Sequence, residues 1–149
     1  MGTFKRFGTH SGFKCDFYLH IGPVEGAWEN WSGWDGKRFG DQLWSDVGRG
    51  LRVPTESCPG SQDERVPSWY NYHFLDDDVS LKLYVEEPEP GDAYEVVPVS
   101  LDVISLWSEA GDVAERIYDW LDATGKYLLV AHEVGGMRVA ANFEVPETD

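Results

Sequence analysis

The chain has 149 residues, 42% of them hydrophobic, with seven each of Trp, Tyr and Phe, and 27 acids against 12 Lys and Arg give a formal net charge of −15. That size fits a single globular domain over residues 1–149, and the aromatic content excludes intrinsic disorder, because large apolar rings bury the area that offsets chain entropy. The charge argues against direct contact with nucleic acid or an anionic membrane, and no stretch approaches the ~20 apolar residues of a membrane span.

The charge is unevenly spread. Residues 1–65 hold eight basic and nine acidic residues, whereas residues 66–149 hold four basic and eighteen acidic ones, a net of −14. The start, Met1-Gly-Thr-Phe-Lys-Arg, has no apolar run of signal-peptide length, so the expected location is cytoplasmic. Cys15 and Cys58 lack any C-x-x-C spacing and are expected as reduced thiols.

In chain order, Phe13, Cys15, Phe17 and Leu19 alternate with Lys14, Asp16, Tyr18 and His20, the pattern of a one-sided strand over 13–21, with 4–7 as a hairpin partner. Residues 26–36 are rich in Gly and Trp. The spacing of Phe39, Leu43 and Trp44 predicts a helix over 37–47, and the polar run 55–67 reads as a surface loop.

Two β-rich runs, 69–75 and 79–85, joined by Asp76-Asp77-Asp78, predict a hairpin in which Val79, Leu81, Leu83 and Val85 face inward. Two prolines and a glycine make 86–92 a stiff acidic loop, followed by an expected strand at 93–97. Val103, Ile104 and Trp107 at helical spacing predict a short helix over 101–110.

A capping-box-like Asp112-Val-Ala-Glu115 and the stop at Gly125 predict a helix over 112–124, with Val113, Ile117, Trp120 and Leu121 buried. Gly135-Gly136 between 126–134 and 137–145 predicts a tight hairpin. Its expected register sets His132 opposite Val139, Val130 opposite Ala141 and Leu128 opposite Phe143 on the core face, and leaves Tyr127, Glu133, Arg138 and Glu144 to water. The expected fold is α+β: an antiparallel sheet of about five to seven strands with two or three helices packed on one face.

The acidic second half carries the functional expectation. Asp112, Glu115, Asp119 and Asp122 line one helix face, where like charges three or four residues apart cost roughly 0.2–0.5 kcal/mol per pair. Such a face works against helix stability, which points to selection by a partner. The expected function is a small acidic protein that inhibits or neutralises a basic protein, a nuclease or other nucleic-acid-binding partner, with the logic of anti-restriction, anti-CRISPR or toxin-immunity proteins and of nucleic-acid mimics. Its expected contacts are Asp76, Asp77, Asp78, Glu86, Glu87, Glu89, Asp92, Glu95, Asp112, Glu115, Asp119 and Asp122. The helix alone would be a poor mimic, since duplex DNA places one charge every ~1.7 Å of axis.

Trp28, Trp31 and Trp34 recur every three residues and offer an alternative, an aromatic anchor for a structural or assembly subunit. Asp76–Asp78 with Glu86 and Glu87 lack EF-hand spacing, and His10, His20, His73 and His132 never form H-E-x-x-H, so neither a metal nor a cofactor is expected. P-loops, nucleophile elbows and dinucleotide fingerprints are absent. Catalytic residues are therefore not assigned, and a small enzyme with a site near His132 or His20 is the third reading.

Overall fold

A computed structural model describes residues 17–52, 68–74, 79–105, 109–133 and 138–145. In chain order these form β1 (Phe17–Pro23), α1 (Gly36–Leu51), β2 (Ser68–Phe74), β3 (Val79–Val85), β4 (Val99–Ser105), α2 (Glu109–Thr124), β5 (Tyr127–Glu133) and β6 (Arg138–Ala141). The strands make one six-stranded sheet in the order β2-β3-β4-β1-β5-β6, antiparallel at every neighbour. This is the expected α+β fold. The expected strand at 4–7, the loop at 55–67, the turns at 76–78 and 135–136, and both cysteines lie outside the described residues.

Alternation decides which side of the sheet meets the helices. Phe17, Leu19 and Ile21 of β1, Leu81, Leu83 and Val85 of β3, and Val99, Leu101 and Val103 of β4 are all buried in one cluster with Leu129 and Ala131 of β5. Paired residues share a face, and Phe17 opposite Val103 and Leu19 opposite Leu101 keep the rows aligned. Both helices cover this face, α1 over β2 and β3, α2 over β4, β1 and β5. They contribute Phe39, Leu43, Trp44, Val47 and Leu51 from α1, and Val113, Ala114, Ile117, Tyr118 and Leu121 from α2. Each of the Leu, Ile, Val and Phe side chains among them stabilises by about 1.5–3 kcal/mol.

Helix α1 starts at Asp35, whose carboxylate accepts from the Arg38 N–H at 3.1 Å, and runs past the expected end at 47 until Arg52 turns left-handed at φ 60°. It survives Gly48 and Gly50 because its inner face is buried. Gly50 also admits α2: a Cβ there would meet Trp120 Cδ1 at 2.6 Å. Trp120, expected in the core, instead lies 42% exposed against this glycine, and Ala114 and Tyr118 complete the buried face of α2.

Three expectations about secondary structure are overturned. Residues 101–105 belong to strand β4, not a helix, because β3 and β1 pair with them on both sides and Val99, Leu101 and Val103 also satisfy a period of two. The helix that follows begins at Glu109, so Asp112 sits within α2 and does not cap it. Residues 93–97 form successive turns, not a strand: Asp92 Oδ1 accepts from the Tyr94 N–H at 2.9 Å, and the Glu95 and Val97 N–H groups donate to the Asp92 and Tyr94 carbonyls at 3.0 Å.

The last hairpin keeps Val130 opposite Ala141, but a bulge moves His132 from Val139 to Arg138. Strand β6 stops before Phe143, since the Asn142 side chain replaces a strand partner, accepting from the Leu129 N–H at 2.7 Å and donating to the Tyr127 carbonyl at 2.9 Å. The expected facing is also reversed. Tyr127, Leu129 and Ala131 point into the helix-side core, which puts Leu128, Val130 and His132 on the other face with Tyr18 and His20.

Candidate functional site

The face of the sheet turned away from the helices carries a cluster of aromatic and imidazole rings. Pairing of β1 with β5 sets Tyr18 opposite His132, and His20 follows two residues along β1 on the same face. Tyr18 stacks on His132 with centroids 5.2 Å apart, and the two imidazoles meet edge to face at 5.3 Å. Residues 86–98, between β3 and β4, fold across the end of this face and lay Tyr94 on His20 at 4.7 Å, nearly parallel. The Tyr94 hydroxyl stands 3.5 Å from His132 Nε2.

Gly22 makes that crossing feasible. A Cβ at Gly22 would lie 1.7 Å from the Val96 carbonyl oxygen and 3.0 Å from Val97 Cα, so only a bare backbone lets the segment approach β1 so closely. Val97 is fully buried there while Val96 is exposed.

Beside the rings, Glu86, Glu87, Glu89 and Asp92 line a recess of about 200 Å³ with His20, Tyr94, Val97 and Pro98. Burial lowers the pKa of His20 from 6.5 to about 4, helped by the neighbouring His132 and opposed by Asp92. His20 is therefore neutral at pH 7, a flat partner for Tyr94 and a weak base. Among the described residues no group of three or more His, Cys, Asp or Glu is arranged to hold a metal ion.

The structure thus brings together four of the expected contact residues, Glu86, Glu87, Glu89 and Asp92, with His20. The Glu95 carboxylate turns back on its own segment and accepts from the Gly91 N–H at 3.1 Å. Asp112, Glu115, Asp119 and Asp122 lie elsewhere, on α2 in the helix layer, and Asp122 accepts from Asn142 Nδ2 at 2.9 Å. The sheet separates these two acidic groups. Asp76, Asp77 and Asp78 are outside the described residues.

Trp28, Trp31 and Trp34 are half-buried, packed against the core beside Phe39. Trp28 Nε1 donates to the Lys126 carbonyl at 3.0 Å, and the Arg38 guanidinium lies over Trp28 and Trp31, 5.7 and 5.4 Å from their centroids. The same guanidinium donates to the Glu29 and Asn30 carbonyls. These rings close one end of the core, with part of each left at the surface.

One buried polar group escaped the sequence reading. Asp46 of α1 is 3% exposed, and the Tyr127 hydroxyl donates to its Oδ2 at 2.6 Å while Gln42 Nε2 donates to Oδ1 at 3.1 Å. Arg49 and Lys126 stand 3.5 and 4.0 Å from its oxygens. Burial and the adjacent carboxylate push the Tyr127 hydroxyl far above its ordinary range, so it remains a donor at any working pH. The arrangement ties α1 to β5 and leaves the carboxylate satisfied. Nothing in a helical period marks Asp46 as internal except its place between Leu43 and Val47.

No family model, curated protein or solved structure matches this chain.

Proposed function

We propose that this protein is a small acidic binding protein that neutralises a basic protein partner of the nucleic-acid-handling kind, and that the segment 86–95 is its principal contact. The observation that carries this reading is the convergence of Glu86, Glu87, Glu89 and Asp92 around one recess, in a half of the chain with a net charge of −14. Carboxylates so placed accept charge-assisted hydrogen bonds from Lys and Arg, and a concentrated negative field speeds encounter with a cationic surface. The α2 row supports the same field from the helix side and is a secondary contact. Two acidic surfaces on opposite sides of a sheet suit a partner that engages one of them at a time better than they suit imitation of a continuous phosphate backbone.

The test is affinity capture of a partner followed by titration of the complex with salt. Dissociation constants should weaken at least tenfold between about 50 and about 500 mM monovalent salt, as expected for screened charge pairs. An affinity indifferent to salt would remove the electrostatic reading.

A second reading has one observation in its favour: His20 and His132, distant in sequence, meet within a ring cluster that borders the recess. A small enzyme using them for proton transfer would lose turnover in His20→Ala or His132→Ala. The lowered pKa of His20 makes it a poor base near neutrality, which ranks this reading second.

A further inference from the structure

We propose that the His20–His132 pair, clasped between Tyr18 and Tyr94, is an acid-sensitive latch that holds the segment 86–98 against the sheet and releases it when His20 takes up a proton. Three geometric facts carry this. The segment has no strand of its own in the sheet and is fixed internally by turn hydrogen bonds of Asp92, Glu95 and Val97. It crosses β1 only where Gly22 lacks a side chain. Its one aromatic ring, Tyr94, is seated on His20 and within 5.9 Å of the His132 ring centroid.

The direction of the switch follows from the surroundings of the pair. On β1 itself the neighbour is Tyr18, and β4 places Asp102 opposite Tyr18. From β5 comes His132, opposed by Arg138 of β6. Lys82 of β3 pairs with Asp102 one strand further away. The segment supplies Tyr94 and Asp92, with Glu86, Glu87 and Glu89 around the recess. For His20, burial is the dominant influence, repulsion from His132 adds to it, and attraction by Asp92 is the smallest of the three. The closed seat therefore disfavours the imidazolium. Whatever state disfavours a proton is itself disfavoured by protonation, so acid shifts the equilibrium toward an open segment in which the rings regain water. Asp92 and its neighbours limit the effect without reversing it.

The latch stands without the partner; its use as a regulator of partner capture rests on the reading above. Release would present Glu86, Glu87, Glu89 and Asp92 on a mobile tether in acid and hold them in a fixed arrangement at neutral pH.

Hydrogen–deuterium exchange on the full chain, corrected for intrinsic rates, tests the latch without any partner. Peptides covering 86–98 should lose protection about tenfold or more as pH falls from 6.5 towards about 4, before peptides from β5 or α2 change. In His20→Gln the step should disappear, and in Gly22→Ala the segment should exchange fast at every pH. Should His20→Gln fail to fold, Tyr94→Leu gives an independent readout: the His20 imidazole, followed by NMR, should titrate nearer its ordinary 6.5. The latch is overturned by constant protection of 86–98 over that range, by simultaneous loss in 86–98 and β5, or by an unmoved His20 titration in Tyr94→Leu. None of these results depends on salt-sensitive binding, so the failure of one proposal is distinguishable from that of the other.

Discussion

The two faces of the sheet are built from alternate residues of the same strands, yet they are held by different physics. The helix side is a mainly apolar layer, Leu19, Leu83, Leu101 and Val103 under Leu43, Val47 and Ile117, whose one buried carboxylate among the described residues, Asp46, is satisfied by Tyr127 and Gln42. The other side joins Tyr18, His20 and His132 under Tyr94, rings with polar edges whose seat depends on protonation and on a loop. The helix side sets stability at any pH, while the ring side is sensitive to conditions. A molecule arranged in this way can alter one surface without unfolding.

The largest expected effect breaks the comparison from the helix side. Leu101→Ala empties a fully buried position at the centre of the sheet and should cost about 2–5 kcal/mol in chemical denaturation, at neutral and acid pH alike. A smaller loss sharpens the claim that the helix layer tolerates a polar group only when it is satisfied: Tyr127→Phe leaves Asp46 without its 2.6 Å donor and should cost about 1.5–3 kcal/mol, measured by thermal melting.

On the ring side the expected effect is a slope. His20 has a folded-state pKa lowered to about 4 from 6.5, so its contribution is fully present above 6.5 and is lost as pH falls through that window. Stability measured by urea titration should decline over this range in the parent chain, with a shallower decline in His20→Gln. The smallest effect belongs to the surface. Lys37 and Asp41 form a 3.2 Å pair with both side chains largely in water, and Lys37→Ala should change stability by no more than about 0.5 kcal/mol.

Much of the helix side was legible in the sequence. Strand β3 announces itself through Leu81, Leu83 and Val85, and α1 through Phe39, Leu43 and Trp44, because one-sided burial imposes a period. Strand β4 is not legible in this way, because Val103 and Ile104 satisfy a helical spacing as readily as a strand, and only its central place between β3 and β1 decides. The facing of β5 is ambiguous in the sequence for a related reason: Tyr127, Leu129, Val130 and Ala131 are all buried, so alternation carries little information on a strand covered on both sides. Of the site, the acidic run 86–92 was visible as composition. Its seat was not, since the meeting of His20, Tyr94 and His132 depends on which strands become neighbours, and Gly22 acquires its meaning only once Val96 crosses above it.

The most direct measurement of the central claim compares two charge reversals against the same captured partner. Glu86→Lys, Glu87→Lys and Glu89→Lys in one chain reverse the rim of the recess; Asp112→Lys, Glu115→Lys and Asp119→Lys in another reverse the α2 row at the same change in net charge. The expected result is that the first variant loses at least about a hundredfold in affinity and the second about tenfold or less, since contact charges act at short range and remote ones are screened. Equal losses in the two variants would show that net charge alone governs capture, and a greater loss in the α2 variant would place the contact on the helices; either contradicts the assignment to segment 86–95.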